Sequence, residues 1–302
     1  MNSLCTISGH GFRQKSIGVP VVTTPLDKIS TTGYNSCRGA YGIRLLNVNY
    51  TGATLTLIAY GGTGATSDFY ADKNGILTTG YNGTGTTLSS WLTTQGGSTT
   101  VAYCSVLYDQ SVTTSNNGTQ VTLSNAPTYD VANKLLNLGN KTTATPASIN
   151  NYCWFNLPDA TIPYNDSSYT LICRHNVFAG YDYGSFISGG ASAVRQLNAI
   201  DGYTDGYMTT WYGDDNNITQ VGSRGQSNVL SSLYTSGGTR YAYVNGVQSS
   251  LAWVGSRSQP STGNFLGKNI SGNASAMRSQ MYYWYIFSTS LTDADRIILE
   301  AT

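Results

Sequence analysis

The stretch from Arg240 to Arg296 limits what this chain can fold into more than any other part of it. It opens with Arg240-Tyr-Ala-Tyr-Val-Asn-Gly-Val247, an alternating apolar run broken by Asn245-Gly246. Both central residues of a type I′ turn need positive φ, which Asn and Gly accept, so the pair predicts a β-hairpin. A glycine-rich segment then leads into Met281-Tyr-Tyr-Trp-Tyr-Ile-Phe287, an aromatic strand, and into Leu291-Thr-Asp-Ala-Asp-Arg296. There Ser290 or Thr292 caps a helix over 292–301, Asp293 and Asp295 occupy its first turn, and Ile297-Ile298 supply its apolar face. Hairpin, loop, aromatic strand and capped helix together predict a β-sandwich with one terminal helix.

The same grammar extends upstream. Thr54-Leu-Thr-Leu-Ile-Ala-Tyr60 alternates as a half-buried strand should. Gly61-Gly-Thr-Gly64 after it is a turn, because neither a Lys-Ser/Thr pair nor a helix pattern follows to make a phosphate loop. Ser89–Leu92 predicts a helical turn, and Val101–Tyr108 a strand buried on both faces. Beyond Asn125-Ala-Pro127, strand-sized runs recur at Cys153–Leu157, Ser168–Arg174, Phe186–Ile187, Tyr207–Tyr212 and Val229–Tyr234. Short strands at that spacing make a sandwich or a barrel. The chain divides into an extended N-terminal arm over 1–38, where Pro20 and Pro25 oppose helix, a front part over 39–125 and a second part over 126–302.

Composition excludes several functions. Only 10% of the 302 residues are charged, against ~25% in an average globular protein, so hydroxyls and amides coat the surface. A net charge of +1 from 16 scattered Lys and Arg residues does not build the concentrated basic patch that nucleic acid requires. Lys134 and Lys141 form the nearest approach to a cluster and read as a solvated face. No run approaches the ~18 apolar residues of a membrane helix, and the first residues lack the basic-then-apolar order of a secretion signal. Cys5, Cys37, Cys104, Cys153 and Cys173 are odd in number and show no C-x-x-C spacing. They predict buried thiols made in a reducing cytoplasm, with neither a disulfide framework nor a zinc site.

Two stretches carry a family resemblance. Ser232-Leu-Tyr234, Arg240–Gly246, Asn264-Phe-Leu-Gly-Lys-Asn269, Tyr285-Ile-Phe-Ser288 and Leu291–Arg296 resemble a laminin-G-like or concanavalin-A-like jelly roll. Gly39-Ala-Tyr-Gly-Ile-Arg-Leu-Leu46, Tyr50-Thr-Gly-Ala53 and Cys104-Ser-Val-Leu-Tyr-Asp-Gln-Ser111 resemble the front of the arabinofuranosidase B catalytic domain. The joint pattern is also similar to proteins of large DNA viruses and bacteriophages. The fold implied is all-β: a concanavalin A-like jelly-roll β-sandwich with an extended N-terminal arm and a short C-terminal helix.

That resemblance also implies site positions. It puts Asp215 where the arabinofuranosidase nucleophile stands and Asn269 where the general acid stands. Retaining hydrolysis needs two carboxyl groups ~5–5.5 Å apart. Asp215 is one methylene shorter than the family's Glu, Asn269 has no titratable proton, and the family's vicinal cysteine pair is absent. Asp182, Asp201 or Asp205 could supply an acid from a shifted loop.

The expectation is therefore a non-enzymatic structural or attachment component of a virion: a minor capsid, fibre or decoration protein. It would be made in the host cytoplasm and assembled with other virion proteins, the major capsid protein or further copies of itself. The alternatives are a carbohydrate-binding module and, behind it, an arabinofuranosidase-like glycoside hydrolase. Tyr207, Trp211, Asp214, Asp215 and Asn216 are the candidate glycan-binding residues, with rings that can stack on sugars. Asp214–Asn217 also suits Ca²⁺, the single cofactor in view, or serves merely as a polar hairpin turn. His10 and His175 have no serine or cysteine motif beside them and read as structural.

Overall fold

A computed structural model describes residues 23–97, 101–139, 153–177, 184–189, 196–203, 206–212, 218–220, 226–248, 253–254, 261–268 and 279–302. The first strands are β1 (Cys37–Gly42), β2 (Leu55–Ala59), β3 (Thr66–Ala71), β4 (Leu77–Thr78), β5 (Val101–Leu107), β6 (Gly118–Thr119) and β7 (Thr128–Asp130). Next come β8 (Leu135–Asn137), β9 (Phe155–Leu157), β10 (Tyr169–Val177), β11 (Gly184–Gly189), β12 (Gln196–Tyr203), β13 (Gly206–Tyr212) and β14 (Ile218–Gln220). The last are β15 (Ser227–Tyr234), β16 (Thr239–Val244), β17 (Val247–Gln248), β18 (Trp253–Val254), β19 (Asn264–Leu266) and β20 (Ser279–Phe287). Three short helices accompany them: α1 (Thr31–Asn35), α2 (Leu88–Thr94) and α3 (Asp293–Glu300).

The strands pair antiparallel in two layers. One orders β1-β20-β10-β15-β16. The other orders β3-β2-β5-β6-β9-β19-β11-β12-β13-β14. Strands β7 and β8 carry the pairing from β5 across to β20. Between the layers lies one core, joining Tyr41, Leu171, Trp284 and Ile286 of the first to Leu55, Leu57, Phe69, Phe155 and Phe186 of the second. The all-β sandwich with a short C-terminal helix is the observed architecture.

Strand β20 explains why its sequence is aromatic throughout. Trp284 and Ile286 face the inter-sheet core, whereas Tyr283, Tyr285 and Phe287 face the opposite side with Ile172, Leu26, Leu291 and Leu299. A side-chain period of two cannot put Met281 and Trp284 on one face. A register shift accommodates it: Arg174 pairs with Tyr283 and His175 with Met281, leaving Tyr282 as an extra residue. The outer face of β20 is covered by Leu26, Leu291 and Leu299, which is why no polar residue alternates along its Met281–Phe287 part.

Several local expectations are met. Asn245 (φ 50°) and Gly246 (φ 79°) form the β16–β17 hairpin, and Val244 pairs with Val247. Thr292 caps α3 by accepting from the Asp295 N–H, and Thr87 caps α2. Cys37, Cys104, Cys153 and Cys173 are buried thiols in no disulfide among the described residues.

Others need correction. The described part of the expected extended arm is not extended: Pro25–Lys28 is a 3₁₀ turn and Thr31–Asn35 a helix capped by Ser30. Proline is tolerated at a helix's first position because its missing N–H has no partner there anyway. Strand β5 is not buried on both faces, since Val101, Tyr103 and Ser105 alternate half-exposed with buried Ala102 and Cys104. Ile297 is 55% exposed, and α3 docks instead through Leu299, with Ile298 half-buried beside it.

Candidate functional site

Strand β5 runs out at Leu107 into Tyr108-Asp-Gln-Ser111, of which Asp109, Gln110 and Ser111 are wholly buried. An ionised carboxylate accepts hydrogen bonds only, so burial is tolerable where donors surround it. Asp109 accepts from Ala40 N (3.0 Å), Ser111 N (2.8 Å), Ser111 Oγ (2.9 Å), Thr113 Oγ1 (3.3 Å) and Asn116 N (3.3 Å). Burial still raises its carboxyl above the ordinary range, with those bonds working the other way. Gln110 Oε1 accepts from Leu46 N, and its Nε2 donates to the Gly42 and Arg44 carbonyls. The motif is thus a bracket that ties the loop after β5 to the segment after β1.

The bracket supports one wall of an open cavity of about 460 Å³, lined by Tyr34, Asn47, Asn49, Tyr50, Ser111 and Thr114 among others. Its lining offers amides and hydroxyls and no carboxylate. It can hydrogen-bond a polar neutral ligand, but nothing in it can act as an acid–base pair.

The candidate glycan residues are placed only in part. Tyr207 and Trp211 lie on β13 opposite Gly202 and Leu197 of β12. Asp214, Asp215, Asn216 and Asn269, and with them the Ca²⁺ reading, fall outside the described residues, as do Asp182, Asp205 and His10. Among the described residues no group of three or more His, Cys, Asp or Glu could hold a metal.

Strand register adds what the sequence could not. Leu266 pairs with Ile187 and Gly267 N donates to the Phe186 carbonyl, so the chain leaves β19 beside the Gly184–Phe186 end of β11. That end pairs with Asp201 and Gly202 of β12. Strand β13 finishes at Tyr212, opposite Gln196 at the far end of β12. The exits from β13 and β19 are therefore at opposite ends of this sheet, and Asp201 lies at the β19 end. There the Lys268 ammonium sits 4.3 Å from the Trp154 ring centroid and 4.9 Å from that of Phe265, and partial burial lowers its pKa.

His175 is structural, as expected. It is wholly buried on β10 with Nδ1 3.0 Å from Ser279 Oγ and its ring 4.0 Å from Phe186 and 5.1 Å from Trp284. Burial pushes its pKa well below the usual imidazole value.

No protein family matches the chain, and neither does any curated protein. Solved structures do. An arabinofuranosidase complexed with arabinofuranosyl-α-1,2-xylobiose is 14% identical with a TM-score of 0.61, covering 92% of this chain and 64% of that one. A mutant GH54 α-L-arabinofuranosidase soaked with 4-nitrophenyl α-L-arabinofuranoside is 13% identical at 0.60, with the same coverage. A Trypanosoma rangeli sialidase in complex with sialic acid is 10% identical at 0.45, over 65% of this chain and 31% of that one. The chain thus spans less than two thirds of the length of the arabinofuranosidases it matches. At such identities the likeness establishes the fold.

These comparisons correct two expectations, the non-enzymatic virion component and the absence of an enzyme. The solved structures that share the architecture over nearly the whole chain are glycoside hydrolases, and nothing in them points to a capsid or fibre.

Proposed function

We propose that the chain is a carbohydrate-active protein, a glycoside hydrolase directed at α-L-arabinofuranosides. The observation that supports this is the shared fold with arabinofuranosidases over 92% of the chain at TM-scores of 0.60 and 0.61. In a retaining hydrolase one carboxylate attacks the anomeric carbon while a carboxylic acid protonates the departing oxygen. The resemblance to the arabinofuranosidase B domain assigns the attacking role to Asp215. Asn269 cannot protonate anything, and Asp201 stands five residues along β12 from the point where β13 exits toward Asp215, too far at ~3.3 Å per residue to be its partner, so the acid comes from another carboxylate.

The test is release of nitrophenol from 4-nitrophenyl α-L-arabinofuranoside by the purified chain. Activity should fall by about 10³-fold or more in Asp215→Asn, the scale expected when an acid, base or nucleophile is removed, and change little in Asp201→Asn. A wild-type chain with no hydrolysis above background would overturn the proposal. A carbohydrate-binding module is the second reading, favoured by the amide- and hydroxyl-lined cavity beside Asp109. Arabino-oligosaccharide binding without turnover would select it.

A further inference from the structure

Five cations gather where the N-terminal turn, β10 and the end of α3 meet. Arg44, Lys134 and Arg174 line a cavity of about 100 Å³ walled by Tyr282 and Tyr283. A second cavity, of about 290 Å³, opens beside it between Lys28 and Lys73 and shares Arg44, Asn74 and Thr302 with the first. No Asp or Glu lines either one. Arg44 and Arg174 are half-buried, and the three lysines are exposed. Lys134 is thus part of a basic cluster, not the plain solvated face its sequence neighbourhood implied.

None of the five forms an ion pair with Asp or Glu among the described residues. Arg174 donates to Ser227 Oγ (2.8 Å) and to the Thr302 carbonyl (3.1 Å), and its guanidinium lies 5.1 Å from the Tyr282 ring centroid. The carboxylates nearest in sequence are occupied locally. Asp27 accepts from Thr24 N and Val48 N, Asp72 from Asn74 N and Ile76 N, and Asp130 from Ala132 N and Asn133 N. In a chain of net charge +1 with 16 basic residues, five cations gathered with no carboxylate beyond the backbone terminus at Thr302, to which Arg174 donates, make a local positive field. Like charges held together and partly desolvated are unfavourable until an anion joins them.

We propose that these two cavities bind successive carboxylates of an acidic glycan, one at Arg44–Lys134–Arg174 and the next between Lys28 and Lys73. Guanidinium groups match carboxylate geometry, the Asn74 amide suits sugar hydroxyls, and the Tyr282 ring beneath Arg174 offers an apolar edge. A uronic acid unit carries all three kinds of group. Single-stranded nucleic acid favours a continuous basic groove with several stacking rings, which two small cavities do not make. The inference rests on the carbohydrate reading for the kind of chain that carries the carboxylates.

Calorimetric titration of the full chain with oligogalacturonate at low salt tests it, with neutral arabino-oligosaccharide and single-stranded DNA of equal charge alongside. Oligogalacturonate should bind and weaken as salt rises. The double variant Lys73→Gln, Lys134→Gln and the single variant Arg44→Gln should each lose about tenfold in affinity, the size of a charge-assisted hydrogen bond. Lys73 and Lys134 are exposed, so the double variant should keep the wild-type urea midpoint, which separates lost binding from lost folding. No binding by the wild-type chain, equal affinity in the double variant, or tighter binding of DNA overturns the assignment. Oligogalacturonate binding that depends on Lys73 and Lys134, without arabinoside hydrolysis, would retire the hydrolase reading and leave this one standing.

Discussion

His175 is held neutral by what surrounds it. Its ring packs on Phe186 and Trp284, and Nε2 is buried with no hydrogen-bond partner. The folded pKa is therefore far below 6.5 whereas the unfolded value stays near it. Protons bind the unfolded chain first, so this contribution to stability is complete above pH 6.5 and is lost as pH falls from there toward the folded value. The loss should approach ~1.4 kcal/mol per pH unit in that window. Urea midpoints between pH 7 and 5 measure it, and His175→Phe should flatten the dependence. Asp109 differs in kind, because every group facing it is a donor. Asp109→Asn would aim an NH₂ at N–H and O–H donors, and the expected cost is ~2–4 kcal/mol in urea unfolding. That His175 is structural was legible in the sequence, but the bracket role of Asp109 was not. Tyr-Asp-Gln-Ser marks a family resemblance, and Ser111, Thr113 and Asn116 donate to Asp109 locally, but the bond that ties the loop to β1 comes from Ala40, far away along the chain.

Elements set by adjacent residues were the most legible. Asn245-Gly246 fixes its turn by its own φ preferences, and Thr292 caps α3 within three residues. Gly246→Ala has space for its Cβ, the nearest atom being Glu300 Oε2 at 3.7 Å, so its cost is conformational. About 1 kcal/mol is expected in thermal or urea unfolding, and a neutral result would mean the turn relaxes away from positive φ. Elements set by what covers them were misjudged. Val101–Leu107 is apolar enough to look doubly buried, yet one of its faces meets solvent. Ile297 looked like a docking residue because it is apolar, but the face that α3 turns inward is chosen by Leu299 and Leu291 against Tyr283 and Tyr285. The basic cluster escaped for the same reason. Lys28, Arg44, Lys73, Lys134 and Arg174 share no local pattern, and pairing of β20 with β1, β8 and β10 is what assembles them.

Across the whole molecule, the two ends of the described chain close one face. The outer side of β20 presents Tyr283, Tyr285 and Phe287, a surface that would be sticky if bare. Leu26 and Ile29 from the N-terminal turn and Leu291 and Leu299 from the C-terminal segment cover it together. The two are fastened by Asp295, a residue only 5% exposed, whose oxygens accept from Ser30 N and Ser30 Oγ, both at 2.7 Å. Gly33 lets the helix approach, since a Cβ there would lie 3.0 Å from Asp295 Oδ2. On the other side of α3, Arg296 pairs with Glu300 at 2.7 Å and stacks over Tyr243 at 3.8 Å, tying the helix to β16. If the fastening works as a unit, Asp295→Ala and Ser30→Ala should each destabilise by ~1–3 kcal/mol, because the first removes both bonds to Ser30 and the second leaves an oxygen of buried Asp295 without its hydroxyl donor. The double variant should then lose less than the sum, with a coupling of ~0.5–3 kcal/mol from a urea double-mutant cycle. Additivity within ~0.5 kcal/mol would mean that the two ends cover β20 independently. Coupling together with greater binding of a hydrophobic dye in the single variants would mean that releasing either end exposes the same aromatic face.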